Sequence, residues 1–396
     1  MRRKFMKVLF LEWNGYGNKD IIDSYRQLQH EVVIFPYKSQ DCRSNPEYED
    51  QLTQQIRLNS PDYVFSFNHY PLVAQVCNRE GLPYVSWIYD SPYVSLYSYT
   101  TIFPCNYIFI FDKEFCYEFQ KNGIETVHYL PMAANTNRLD AMNNYIGFRQ
   151  SPYLNQTDIA FVGSLYTEEV RSGFFDRLKN VTPYTRGYLD GIMAAQKNVF
   201  GYNFIQELLT PDIIKDFENS CPIETNYDGV ESKEYIYAQY FINRQITALE
   251  RTEIVRFISN YFPMDLYTSA KGFSCPNVFL HEPIDYYNIA PYVYKNTKIN
   301  LNISLRSIKS GMPLRAFDIM GAGGFLLSNF QADFLDCFVP GEDFAFYDSQ
   351  KDLVEKIDYY LRNDKERAEV AASAHKKIQQ HHTFVHRILE MESYLP

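Results

Sequence analysis

The residues best suited to chemistry fall in one run, Leu305-Arg306-Ser307-Ile308-Lys309-Ser310-Gly311-Met312-Pro313-Leu314-Arg315-Ala316-Phe317-Asp318-Ile319-Met320-Gly321-Ala322-Gly323-Gly324. It carries three cations and passes through Ser-Gly-Met-Pro into a short helix that closes on glycines. A loop entering a helix N-terminus offers unpaired N–H groups and a positive dipole end, which together suit an anion. Here Ser310 and Gly311 would let a diphosphate approach the backbone, and Pro313 and Leu314 would open the helix. Arg315 has the fork geometry to clamp phosphate, and Arg306 and Lys309 could neutralise a departing pyrophosphate. Asp318, one turn past Arg315, could accept hydrogen bonds from ribose hydroxyls, with Gly323 in the glycine-rich end beyond it. The same pattern also reads as an Arg-Asp i,i+3 surface pair followed by a glycine helix stop, and residue types alone leave both readings open.

Further candidates sit where apolar runs end. Gly163 and Ser164 follow Ile159-Ala160-Phe161-Val162 and would meet donor phosphates or sugar, or simply make a tight turn. His281 ends a later run and would lie beside a base, or serve as an ordinary satisfied polar residue. In the first third, Asn14-Gly15-Tyr16-Gly17 falls short of G-x-G-x-x-G, so a dinucleotide reading is weak, but Asn14 and Gly15 suit an acceptor-side loop. Asp90, in Tyr-Asp-Ser-Pro, is the preferred general base for an acceptor hydroxyl, with His69 second; Asp before Ser-Pro is equally a turn former. His382 and His386 have i,i+4 spacing but no third ligand in a recognised pattern, so no metal site is expected.

The elements that must position these residues alternate. Runs at residues 7–12, 31–36, 62–67, 83–89, 107–111 and 126–130 read as short buried strands separated by segments of helical length. That alternation implies a parallel sheet with helices on both faces, whose ligand loops lie at the carboxyl ends of the strands. A polar stretch follows, and a second alternating series begins at 158. It is interrupted at about 188–261 by apolar residues at helical spacing, such as Ile242, Ile246, Leu249 and Ile254. Strands resume at 264–267, 278–281, 299–303 and 325–327, then two helices at 350–362 and 364–391. The expected architecture is α/β: two Rossmann-like domains facing a cleft, residues 1–135 and 158–380, which the resemblance given below makes the acceptor and the donor side. A linker at 136–157 joins them, and a C-terminal helix ends at 381–396.

With 396 residues, two cores are the natural expectation. A net charge of −10 disfavours non-specific nucleic-acid binding. Seven scattered cysteines without a C-x-x-C pair argue against a disulfide framework or a zinc cluster, and fit a reducing cytoplasm. No run has the length of a membrane span or a signal-peptide core. The 34 tyrosines and 30 phenylalanines would stack on sugars and bases, but genomic base composition explains the excess more simply.

The stretch from Ile299 to Arg387 resembles the donor-binding domain of CgeB-like (spore maturation) glycosyltransferases, relatives of the glycosyltransferase group 1 superfamily. The resemblance rests on Asn300-Leu301-Asn302, Ser310-Gly311-Met312-Pro313-Leu314-Arg315, Gly323-Gly324-Phe325-Leu326-Leu327, Pro340-Gly341-Glu342, Tyr359-Tyr360-Leu361 and His382-Thr383-Phe384-Val385-His386-Arg387. Upstream, Ser66-Phe67-Asn68, Tyr84-Val85-Ser86-Trp87-Ile88-Tyr89-Asp90-Ser91-Pro92 and Phe161-Val162-Gly163-Ser164-Leu165-Tyr166 resemble the same family. It implies a GT-B fold, a nucleotide-sugar donor, here expected to be a UDP-sugar, no obligate metal or other cofactor, and a last helix packed near the domain junction. The expected reaction is sugar transfer to a hydroxyl of a surface glycan or glycoprotein; a nucleotide-sugar epimerase or hydrolase, and a non-catalytic nucleotide-sugar-binding partner, remain as alternatives. One position departs from the pattern: Asp318 stands where many group 1 relatives carry glutamate.

Overall fold

The computed structural model describes residues 5–13, 15–38, 42–143 and 157–396. The chain divides into two compact units, one made of Met1–Asn135, Thr225–Glu231 and His381–Pro396, the other of Thr136–Glu224 and Ser232–Gln380.

The first unit is built on six parallel strands, β1 (Lys7–Glu12), β2 (Glu31–Pro36), β3 (Tyr63–Phe67), β4 (Tyr84–Ile88), β5 (Asn106–Ile110) and β6 (Val127–Tyr129). Their order is β2-β1-β3-β4-β5-β6. Strands such as β3 and β4 are buried along their whole length, as continuous apolar runs covered on both faces must be. The order reverses between β1 and β3, which makes the loops after those two strands the crevice of this unit. Two distant pieces of chain complete it. Asp228 pairs with buried Arg43 and accepts from Ser98 Oγ at 2.6 Å. Near the C-terminus, Phe384 meets Trp87 edge-on, and Arg387 donates to the carbonyls of Pro131 and Met132 at 2.8 and 3.1 Å.

The second unit repeats the plan with β7 (Ile159–Val162), β8 (Met264–Tyr267), β9 (Val278–His281), β10 (Ile299–Asn302), β11 (Leu326–Asn329) and β12 (Ala345–Tyr347). The order is β12-β11-β10-β7-β8-β9, all parallel, so the reversal falls between β7 and β10. Its core joins Ile159, Phe161, Leu266, Leu301 and Leu327 to Ile254, Ile258, Leu353 and Ile357. A second core, including Leu178, Leu189, Phe217, Phe241 and Ile246, belongs to the helical insertion.

The elements differ from the sequence expectation in four places, the first being strand β12 (Ala345–Tyr347), for which no strand was expected. The insertion begins earlier, with helices Glu169–Asp176 and Pro183–Lys197 ahead of Asn243–Ser259. Within the expected linker, Thr136–Asn143 is helical, and residues 144–156 lie outside the described residues. The expected helix over 364–391 is two helices, Asp364–His381 and Phe384–Glu392, because Thr383 caps the second one and bonds His386 in a capping box.

Candidate functional site

The reversal between β7 and β10 is where a doubly wound sheet opens a crevice for ligand, and the second unit places a cation there. β7 ends at Val162, and Gly163 continues with φ +155°, its N–H donating to Tyr267 O at 2.9 Å. The guanidinium of Arg315 lies directly over this glycine: a Cβ there would come within 2.5 Å of Arg315 Nη2. Arg315 Nη1 donates to Asn302 Oδ1, 3.1 Å away at the end of β10, and its Cζ stands 5.1 Å from the centroid of Phe161. The Asn302 amide is oriented by its other contacts, donating to Ser328 Oγ at 2.9 Å and Ser304 Oγ at 3.2 Å. A cation is thus held by a neutral amide and an aromatic face at the mouth of the sheet. Burial pulls the guanidinium below its ordinary value, against the opposing pull of Tyr294, Tyr166 and Asp318.

Arg315 opens the helix Leu314–Gly321, whose N-cap is Pro313 and whose entrance runs through buried Ser310 and Gly311. Asp318 is buried one turn further along and accepts from Tyr286 Oη at 3.0 Å. Lys309, half-buried, lines a small polar pocket with Tyr202, Asn203, Ser304, Asn329 and Gln331.

Residues 247–393 match the family model described as Glycosyl transferase-like. A search of the curated proteins found no match. Among solved structures, the chain is similar to a glycosyltransferase from Rickettsia africae, with TM-score 0.51, 8% identity, and 99% of each chain covered. It is likewise similar to HepE of Anabaena in complex with UDP and glucose, with TM-score 0.50, 11% identity, 98% of this chain and 100% of that one. Sucrose-phosphate synthase of Thermosynechococcus elongatus gives TM-score 0.50 and 9% identity over 98% of this chain and 99% of the other. The chain has the GT-B fold.

The GT-B frame gives several sequence-designated residues other work. Arg306 is corrected most plainly. It is buried, with Nε donating to Glu250 Oε2 at 2.7 Å, Nη2 also on Glu250, and Nη1 and Nη2 on the carbonyls of Val199 and Lys197. Its charge is already matched inside the insertion. His281 Nε2 sits 2.6 Å from Asp265 Oδ1 and its ring stacks on Tyr267 at 4.4 Å, so it is the satisfied polar residue. Ser164 Oγ donates to Glu168 at 2.6 Å and accepts from Tyr166 N at 2.8 Å, which closes a turn. Gly323, with φ +78°, lies just past the helix that Leu314 begins, about 14 Å away at 1.5 Å per residue. It is a helix stop and not part of the cradle.

In the first unit, Asp90 is exposed just past β4 and is held by Asn68, which donates from Nδ2 to Asp90 Oδ2 at 2.7 Å. Asn68 Oδ1 accepts from the Tyr89 and Asp90 N–H groups, and the residue takes φ +60° to do so. His69 is sealed from water, its Nδ1 3.2 Å from Ser86 Oγ, and burial pushes its pKa down to about 3. A neutral imidazole without solvent access is not the general base. Gly15 packs against Trp13, where a Cβ would come within 2.9 Å of the indole, and Asn14 lies outside the described residues.

Sequence reasoning missed Thr247, Glu250 and Arg251, which share one face of the helix Asn243–Ser259. Thr247 Oγ1 accepts from Arg306 N at 3.0 Å, Glu250 holds the Arg306 side chain, and Arg251 Nη1 donates to Ser164 O at 2.6 Å and Nη2 to Ile303 O. This helix braces the loops after β7 and β10. Their residue types invited notice, but no local spacing connects them to partners more than fifty residues away. Among the described residues, no group of three or more His, Cys, Asp or Glu side chains could hold a metal, and no helix is long and apolar enough to cross a membrane. His382 Nδ1 instead accepts from Arg387 Nη2 at 2.7 Å.

Proposed function

We propose that this chain is a glycosyltransferase that takes a sugar from a nucleotide-diphosphate donor, a UDP-sugar foremost, without a metal, and passes it to a hydroxyl of a surface glycan or glycoprotein. The observation that carries this reading is Arg315: a desolvated guanidinium against Gly163 at the sheet's reversal, inside the segment that matches the glycosyl transferase-like model. A buried cation bonded to a neutral amide gains most from an anion, and a diphosphate supplies charge-assisted bonds about twice as strong as neutral ones. The likeness to HepE, solved with UDP and glucose, supports that ligand class, as does the resemblance to CgeB-like enzymes.

In the proposed reaction the bond between the anomeric carbon and the diphosphate oxygen breaks, and a bond from that carbon to the acceptor oxygen forms. Negative charge grows on the departing phosphate, where Arg315 and Lys309 stabilise it. The acceptor proton goes to Asp90, whose carboxylate Asn68 holds in place.

Calorimetric titration of the full chain with UDP, GDP, dTDP and CMP and their sugar conjugates, with and without EDTA, tests the reading. One nucleotide series should bind, insensitive to EDTA, and Arg315→Ala should weaken it roughly a hundredfold, as loss of a charged hydrogen-bonding partner does. Unchanged affinity in Arg315→Ala would remove the basis for the site.

A further inference from the structure

The crevice of the first unit lies at the carboxyl ends of its strands. At the opposite ends, about 20 Å away along the six residues of β1, the same unit holds a hollow of about 240 Å³. Its walls come from Met6 and His30, which lead into β1 and β2, from Leu28, just past the helix Asn18–Gln27, and from Leu389, Glu392 and Leu395, in and just past the last helix. Apolar side chains thus surround one carboxylate. Glu392 is 13% exposed, and its Oε1 accepts from Tyr63 Oη at 3.0 Å. His30 Nδ1 accepts from the Met6 N–H at 3.3 Å, which leaves the proton of the neutral ring on Nε2. That nitrogen stands 2.9 Å from Glu392 Oε1, but off the line of a hydrogen bond and closed to solvent. Glu392 Oε2 takes no hydrogen bond among the described residues, and no lysine or arginine among them pairs with this carboxylate. Elsewhere buried carboxylates are given a cation: Asp228 has Arg43, Glu250 has Arg306 and Asp343 has Lys377.

The chemistry of the hollow selects its ligand. A carboxylate oxygen accepts hydrogen bonds and offers none, and among apolar walls its charge repels phosphates and carboxylic acids. A metal ion would find a single carboxylate among leucines, far short of the oxygens that a hard cation needs. An ammonium on a short alkyl chain suits both halves, with N–H donors for Oε2 and methylenes for Leu28, Leu389 and Leu395, much as a lysine buries its stem along apolar surface. We infer that this hollow is a binding site for a small organic ammonium ion, held by Glu392, whose occupant ties the last helix to the entrances of β1 and β2.

The test is calorimetric titration of the full chain with four probes: n-butylammonium, ethylammonium, n-butanol and butyrate. n-Butylammonium should bind at least roughly tenfold more tightly than n-butanol, since a hydrogen bond to a charged group exceeds a neutral one, and butyrate should not bind. It should also exceed ethylammonium by about tenfold, through two more buried methylenes. Glu392→Gln, which keeps the shape and an acceptor for Tyr63, should bring n-butylammonium down to the level of n-butanol and leave n-butanol within roughly twofold. Leu395→Trp, which fills the hollow without touching the carboxylate, should abolish binding of both; should Glu392→Gln fail to fold, this variant decides alone. Equal affinity of the wild-type chain for n-butylammonium and n-butanol would overturn the inference, as would unchanged n-butylammonium binding in Glu392→Gln or no binding of any probe. Binding retained in Leu395→Trp would put the amine outside the hollow and overturn it as well. No probe carries a phosphate or a sugar, so these results are independent of the donor site.

Discussion

The contact between Gly163 and Arg315 ties a backbone conformation to a charge. A φ of +155° is one that side chains with a Cβ rarely adopt, and the space that a Cβ would need is taken by Nη2 and, at 3.1 Å, by Cζ. Gly163→Ala should therefore act twice. Strain should cost about 1–3 kcal/mol of stability, read from the urea midpoint. Displacement of the guanidinium should lower nucleotide affinity at least roughly tenfold by calorimetry, since a shift of an ångström breaks a charge-assisted bond. A variant that loses stability but keeps full affinity would show that Arg315 does not meet the ligand. The pairing also explains what was legible at this scale. Gly163 and Arg315 each stood out by type and position, but their mutual contact joins the end of β7 to the helix that follows β10, segments far apart in sequence that only the topology brings together.

At the scale of elements, the parallel sheets were legible because strands covered on both faces must be continuous apolar runs, as Val8-Leu9-Phe10-Leu11 and Ile108-Phe109-Ile110 are. The break between the last two helices was not, because it depends on Thr383 and His386 capping each other within a run that reads as helix throughout. The brace formed by Asn243–Ser259 was equally hidden, as nothing in the spacing of Glu250 announces Arg306. It yields a clear expectation. Removing one partner of a buried pair leaves the other charged and unmatched, so Glu250→Ala should destabilise the second unit by about 3–5 kcal/mol in denaturant unfolding. The double change Glu250→Leu with Arg306→Met should recover most of that loss. Because Arg306 is spent on the insertion, the double variant should keep nucleotide affinity within roughly twofold; a large loss would return Arg306 to the ligand.

At the scale of the whole molecule, the first unit owns the last residues of the chain. Phe384, Ile388 and Met391 are buried in it, and Tyr63 donates to Glu392 at 3.0 Å. Burying three such side chains contributes roughly 5–9 kcal/mol, as much as a typical domain's entire stability. Deleting residues 382–396 should thus leave the first unit unfolded at 37 °C while the second keeps its own transition, seen as the loss of one calorimetric peak and protease resistance confined to the second unit. The patchwork make-up of the first unit also sets a schedule for its birth. Its opening 135 residues are made ahead of the second unit, its clip at Thr225–Glu231 follows only after much of the helical insertion, and its closing helix emerges after nearly all of the remaining chain has been made. At ~5–20 residues per second that wait is roughly 10–50 s. Throughout it the nascent sheet carries an uncovered apolar flank, so the half of the protein synthesised first is the half that matures last, and the one with most need of a chaperone.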